Sequence, residues 1–347
     1  MKQSTRSVTG HVQRTGFGVF HCLWCVVRWL LFGLVAVCFF IFVTIESVLA
    51  LEKGEAPIPE GKSQGSLSGE DVSPQRIVSI NLCTDELLLR LVEPGRVAAL
   101  TRFSDNADVS TVWEVAQGIR KTEPDIESIL ACGPDLLLGG RFSNREALHF
   151  FQYSDTPVLV FDVPKSFEDI YRDIRRLAEA VGAEDLGEDI VQKMQTEMAA
   201  LRSGEDSPQD VDKKENHPVR AVFFQSEHYV PGTGTFENAV MEAAGLINIA
   251  AEFGITGYGK MDLEQLIAAS PDLIIFSGEQ KKSRTVRGEG LNHPAIKKAL
   301  PDVKTVIIPT MYLNCGSPAS VKAVRLLADV SRKLVSRTQE SSSRTLI

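Results

Sequence analysis

The 347-residue chain groups few of the side chains that do covalent or metal chemistry. Beyond the first fifty residues its histidines are His149, His217, His228 and His293, and no two have the His-x-x-x-His spacing that sets a metal on one helix face. Cys83, Cys132 and Cys315 are an odd set with no zinc-site spacing, which leaves at most one bridge in an oxidising compartment. No G-x-S-x-G element supplies a nucleophile. Gly232-Thr233-Gly234-Thr235 precedes a helix and could offer backbone N–H groups to an anion, but it lacks the phosphate-loop lysine. A tight strand-to-helix turn needs nothing more. What does recur is a carboxylate. Asp125-Ile126-Glu127, followed by Pro134-Asp135-Leu136, is matched by Asp262-Leu263-Glu264 and Pro271-Asp272-Leu273 at a constant offset of 262 − 125 = 137 residues.

A helix, a proline turn and a buried strand account for the apolar part of this repeat, but not for an identical Asp-x-Glu at each helix start. Two related lobes do. Around the repeat, short apolar runs (Arg76–Ile80, Val97–Leu100, Asp135–Leu138, Val158–Phe161) alternate with helical segments, the rhythm of parallel α/β layers. Thr84 is the expected N-cap of the first helix, with Asp85 and Glu86 as first-turn acids favoured by its dipole. From Ser166 to Leu201 a helical periodicity persists, weakened locally by Gly182 and Gly187. The expected class is α/β: two Rossmann-like lobes joined by a long backbone helix, with a ligand cleft at the carboxyl ends of the strands. The expected boundaries are an N-terminal lobe over 76–163, a bridging helix over 164–203, a polar loop over 204–217, a C-terminal lobe over 218–336 and a disordered tail over 337–347.

Composition narrows the partner. The formal charge is −8; the first fifty residues carry Lys2, Arg6, Arg14 and Arg28 against Glu46, so the remainder holds 33 bases and 44 acids, a net of −11. Nucleic acid is excluded as the expected partner, since phosphate binding needs a basic footprint. Residues 1–50 read as a targeting segment. Trp29–Ile45 is an uncharged apolar run, and Val48-Leu49-Ala50 offers a cleavage site. The competing reading is an uncleaved anchor, because the run nearly reaches spanning length. Val37 ahead of Cys38 argues against a lipid anchor. Residues 51–75, rich in Gly, Pro, Ser and Glu, form a linker. The folded part is expected outside the cytoplasm, periplasmic or tethered to the inner membrane.

Arg76–Leu89, Gly257-Tyr258-Gly259, the paired Pro-Asp-Leu elements, Leu291-Asn292-His293-Pro294 and Cys315-Gly316-Ser317-Pro318 together resemble the substrate-binding proteins of cobalamin and ferric-siderophore ABC importers. The resemblance covers roughly 76–335. It implies a non-enzymatic protein that captures a corrinoid such as vitamin B12 or an iron chelate (ferric siderophore or haem) and delivers it to an ABC permease dimer with its ATPase. No resident cofactor or metal is expected, only a ligand that carries iron or cobalt. It also implies that one exposed glutamate per lobe docks on the permease, at Glu127 and Glu264. Phe103, Tyr229, Tyr258 and Tyr312 fall on positions that resemble aromatic contacts of the vitamin B12 binder, whereas Lys121 and Gly140 depart from them. The candidate cleft set is Asn81, Cys83, Thr84, Arg102, Phe103, Arg141, His228, Tyr229, Tyr258, Tyr312, Asn314 and Cys315. Within it, Arg102 and Arg141, with Lys121 nearby, are candidates for an anionic ligand and His228 for an axial one. Cys83 and Cys315 are expected to line the cleft, with a disulfide or a soft ligand as alternatives. Cys132 is expected in the core. A chelatase-like tetrapyrrole enzyme and a membrane-anchored sensor are the competing functions.

Overall fold

Ile77 and Val78 are β-branched, and strand β1 (Ile77–Ser79) is buried along its whole length, as a strand covered on both faces must be. The computed structural model describes residues 73–203, 218–278 and 298–345. The leader, most of the linker, the loop 204–217 and the Leu291–Pro294 element lie outside the described residues. In the first lobe β1 pairs in parallel with β2 (Val97–Ala99) and β3 (Leu136–Gly140), and β3 with β4 (Val158–Phe161), giving the order β2-β1-β3-β4. Helices α1 (Leu82–Leu91), α2 (Ile126–Leu130) and α3 (Arg145–Gln152) connect them.

The second lobe repeats this plan. Strands β5 (Val219–Phe223), β7 (Leu246–Asn248), β9 (Leu273–Ser277) and β10 (Lys304–Ile308) form a parallel sheet in the order β10-β9-β5-β7. Read from the other end, β7-β5-β9-β10 matches β2-β1-β3-β4. An antiparallel ribbon of β6 (Tyr229–Pro231) and β8 (Tyr258–Lys260) is added after β5. Helices α6 (Phe236–Ala243), α7 (Ile249–Glu252) and α8 (Leu263–Ala269) complete the lobe.

The expected single helix over 164–203 is two. Helix α4 (Phe167–Val181) starts in a capping box of Ser166 and Asp169 and stops at Gly182, whose φ of 67° is left-handed. Helix α5 (Glu184–Ser203) then folds back along α4, bridged by Arg175–Glu188 at 2.8 Å. Gly187 permits this: a Cβ there would lie 2.5 Å from the Ala178 methyl. Helix α5 packs on α4 of the first lobe and on α9 (Val321–Thr345) of the second. One hydrophobic layer runs unbroken from Leu88 and Ile174 through Met198 to Phe223 and Leu327, and the Phe167 and Phe236 rings meet at 5.5 Å. Helix α9 continues to Thr345, past the start of the expected tail, because neither Gly nor Pro interrupts it.

The repeat has a structural cause that sequence comparison missed. Asp125 and Asp262 are N-caps, accepting from the Ser128 and Gln265 amides at 2.8 and 2.7 Å. Asp135 accepts from the Arg76 amide at 2.9 Å, and Asp272 from the Arg220 amide at 2.8 Å. Both arginines reach back to carbonyls at the end of the repeated element, Arg76 to Gly133 and Cys132 just past α2, Arg220 to Ala269, the last residue of α8. An Arg opening β1 and β5 was the available signal. Its offset of 220 − 76 = 144 differs from that of the repeat, so the alignment without gaps passed over it.

Candidate functional site

A covalent bond joins segments at the carboxyl ends of the two sheets. Cys83, in the first turn after β1, and Cys315, in the loop after β10, form a disulfide with Cα atoms 5.0 Å apart and a sequence separation of 232. The default expectation of two lining thiols is therefore replaced by the bridge, since this Cα separation brings the sulfurs into bonding range. Asn314 carries its carbonyl 3.6 Å from Cys83 Sγ, and its side chain is exposed. Cys132 is buried, as expected.

Asn81, not Thr84, caps α1: its side chain accepts from the Cys83 amide at 2.9 Å. Thr84 is a correction twice over, because it is also 1% exposed and cannot line a cleft. Its hydroxyl is 2.7 Å from that of Ser79 and donates to the Asn81 carbonyl. Gly140 departs from an aromatic position for a visible reason, as a Cβ there would stand 2.7 Å from Asn81 Nδ2.

Asp85, in the first turn of α1 as expected, and Glu86 are both buried. They moor the loop that follows β2. Asp85 accepts from the Thr101 amide and hydroxyl, and Glu86 from the Thr111 amide and hydroxyl at 2.7 Å each. Burial pushes the Asp85 carboxyl up to about 7, against the hydrogen bonds of Ser79 and Thr101 and the charge of Lys121. The next residues, Arg102 and Phe103, are exposed, with the guanidinium 4.9 Å over the ring. Lys121 donates to the Ala116 and Ile119 carbonyls and lies 3.3 Å from Asp105, so it serves the loop. Arg141 is exposed and paired with Asp162 at 3.0 Å.

In the second lobe, β5 leads through a turn at Ser226–His228 into the ribbon. Glu227 and His228 both hold left-handed backbone, φ 57° and 63°, an uncommon pairing for non-glycine residues. The exposed His228 ring stacks on Phe224 at 5.6 Å. Tyr229 pairs with Lys260 across the ribbon and Pro231 with Tyr258, which places Tyr229, Lys260 and Tyr258 on one face. The Lys260 ammonium lies 4.9 Å from the Tyr229 ring. Tyr258 donates its hydroxyl to both oxygens of Glu237, at 3.0 and 2.9 Å. Tyr312 is half-buried with Lys322 5.5 Å from its ring. Sequence reasoning missed Glu237 and Lys260; only Lys260, two residues from Tyr258 in a strand, carried a signal.

Gly232 of the Gly-Thr-Gly-Thr run is a point of backbone contact, where a Cβ would stand 1.9 Å from the Ile255 carbonyl oxygen. Thr235 caps α6. Gly232→Ala is expected to destabilise the protein by about 3 kcal/mol through overpacking, read as a lowered urea midpoint. Among the described residues no cluster of three or more His, Cys, Asp or Glu could hold a metal ion. Glu127 and Glu264 both lie in the first turn of their helices, exposed, one on each lobe.

Segments at the carboxyl ends of the two matched sheets thus carry aromatic and cationic side chains, and the Cys83–Cys315 bond joins one lobe to the other there. A "Cobalamin-binding protein" of Halobacterium salinarum is 21% identical over 278 residues, covering 79% of this chain and 73% of its own length. An "Uncharacterized ABC transporter substrate-binding lipoprotein", YvrC of Bacillus subtilis, is 23% identical over 255 residues, covering 69% of this chain and 78% of its own. The solved periplasmic heme-binding protein RhuT of Roseiflexus sp. RS-1 superposes with a TM-score of 0.60 at 22% identity, covering 76% of this chain and 99% of RhuT. The bilobal fold is thus that of known periplasmic binding proteins. With residues 77–305 matching the family's sequence profile, the chain belongs to the periplasmic binding protein family.

Proposed function

We propose that this protein is the exported substrate-binding component of an ABC importer, capturing an iron chelate (ferric siderophore or haem) or a corrinoid between its lobes and delivering it to a permease. The observation that carries the reading is the pair of matched sheets, bonded through Cys83 and Cys315, whose carboxyl-end segments bear Phe103, Arg102, Tyr229, Tyr258 and Lys260. Large flat or globular ligands need such ring faces with a few charged anchors. The relatives support the class: one is named for cobalamin, one for heme and one as an ABC transporter component. The protein acts by binding and not by catalysis. A chelatase would need a histidine and an acid convergent on the ligand, and His228 stands against Phe224. Titrating the purified protein with cyanocobalamin, haemin and several ferric siderophores, followed by fluorescence quenching, should give saturable binding to one class. Failure with all of them would sink the proposed ligand set.

Glu127 and Glu264 are the docking residues for the permease dimer and its ATPase. Caps and clasps explain the aspartates of the repeat, and the exposed Glu127 and Glu264 stand at equivalent places in the first turns of the two helices. Equivalent carboxylates on pseudo-symmetric lobes suit a two-fold partner. An exposed ion pair contributes at most about 1 kcal/mol, so a single Glu→Lys change should lower uptake by less than about fivefold. The double reversal should lower it by more than about tenfold while ligand affinity is kept. Unchanged uptake in the double variant would refute the assignment.

A further inference from the structure

Tyr258 is 56% exposed, yet its polar end is not free. The hydroxyl donates to both carboxylate oxygens of Glu237, which is 9% exposed in the first turn of α6. Two constraints follow. The ring is held at both ends, by its strand and by the carboxylate, so its open face is presented in a fixed orientation. The phenol proton, meanwhile, is shared with a buried anion, so losing it would leave two negative oxygens about 3 Å apart. Burial and the Glu237 charge both push the phenol above its usual range. Burial also raises Glu237, opposed by its own amide and by the Tyr258 and Gln225 side chains. A phenol ligates ferric iron as the phenolate, which this pairing opposes. The same ribbon face carries Tyr229 and the cationic head of Lys260.

We propose, building on the transport reading above, that Glu237 is a positioning residue setting ligand specificity. It fixes Tyr258 as a ring-face contact and withholds its oxygen from metal, so this wall takes a ligand whose metal the ligand itself already coordinates. Tyr258→Phe, which keeps the ring face but loses the tether, is then expected to weaken whichever probe the wild type binds, cyanocobalamin or haemin, by about threefold, the same loss as Glu237→Leu. Tyr258→Ala should lose at least about tenfold, since a stacked ring contributes on the order of 1 kcal/mol beyond its buried area. Glu237→Gln, which can still accept the hydroxyl, should restore wild-type affinity where Glu237→Leu does not. A phenolate-to-iron charge-transfer band in the haemin complex that Tyr258→Phe abolishes would overturn the proposal, as would Tyr258→Ala binding like the wild type. Ligand-free protein provides a separate arm. The ultraviolet ionisation difference between wild type and Tyr258→Phe should show no step near pH 10, the ordinary value for tyrosine, and Glu237→Gln should bring the step down toward it. A step at the ordinary pH in the wild type overturns the proposal whether or not either probe binds. A displaced step with neither probe bound sinks the transport reading and leaves the role of Glu237 standing.

Discussion

Replacing Cys83 and Cys315 together by serine is expected to lower the unfolding free energy by about 5 kcal/mol, the largest effect of any change considered for this protein. The bond closes a loop of 232 residues, and the loss of unfolded-chain entropy grows with the logarithm of loop length. Denaturant titration of wild type, of the double variant and of wild type in excess dithiol should show the last two coinciding well below the first. Equal midpoints in all three would mean that no bridge forms in solution. The bond also joins the lobes at a point separate from the α4–α5 hairpin, so its removal should widen the distribution of lobe separations seen by small-angle scattering. The continuous hydrophobic layer beneath, from Leu88 to Leu327, should keep that widening modest.

Stability should fall as pH rises from 5 to 8, contrary to the usual behaviour of carboxylates. In the unfolded chain Asp85 releases its proton near 3.8, whereas in the fold it holds it up to about 7. Between those values the native state binds more protons, so the stability contributed at low pH is lost as pH climbs through about 7. The full difference is on the order of 4 kcal/mol. Asp173, pushed up to about 6 mainly by burial, acts in the same sense. Asp125, Asp169, Glu188 and Glu252 are shifted down by their hydrogen bonds or ion pairs, and their linked losses fall at more acidic pH, outside this window. Urea midpoints at pH 5 and pH 8 should therefore differ clearly for the wild type and less for Asp85→Asn. An identical slope in the variant would remove Asp85 as the cause.

The lobes were legible because the same structural task is solved twice with the same residues, at Asp125 and Asp262 and at Asp135 and Asp272. The break between α4 and α5 was not, since helical periodicity runs straight through Gly182 and a lone glycine reads equally as a weak spot or as a turn. Local pattern placed Asp85 in the first turn of its helix, where it lies, but only the loop folding over Asp85 and Glu86 shows that both are buried. The carboxyl-end loops gave the candidate cleft because strands and their successors are read locally. What joins them is tertiary. Cys83 meets Cys315 across 232 residues and Tyr258 meets Glu237 across 21, distances at which spacing carries no information.

The paired clasps have a mechanical consequence. Arg76 and Asp135 lock α2 to the central strand of one lobe, and Arg220 and Asp272 lock α8 to the other. Each glutamate is thus carried rigidly by its own sheet, like one jaw of a caliper. A docking partner with two cationic sockets at fixed spacing would measure the gap between Glu127 and Glu264, and through it whether the cleft is open or filled.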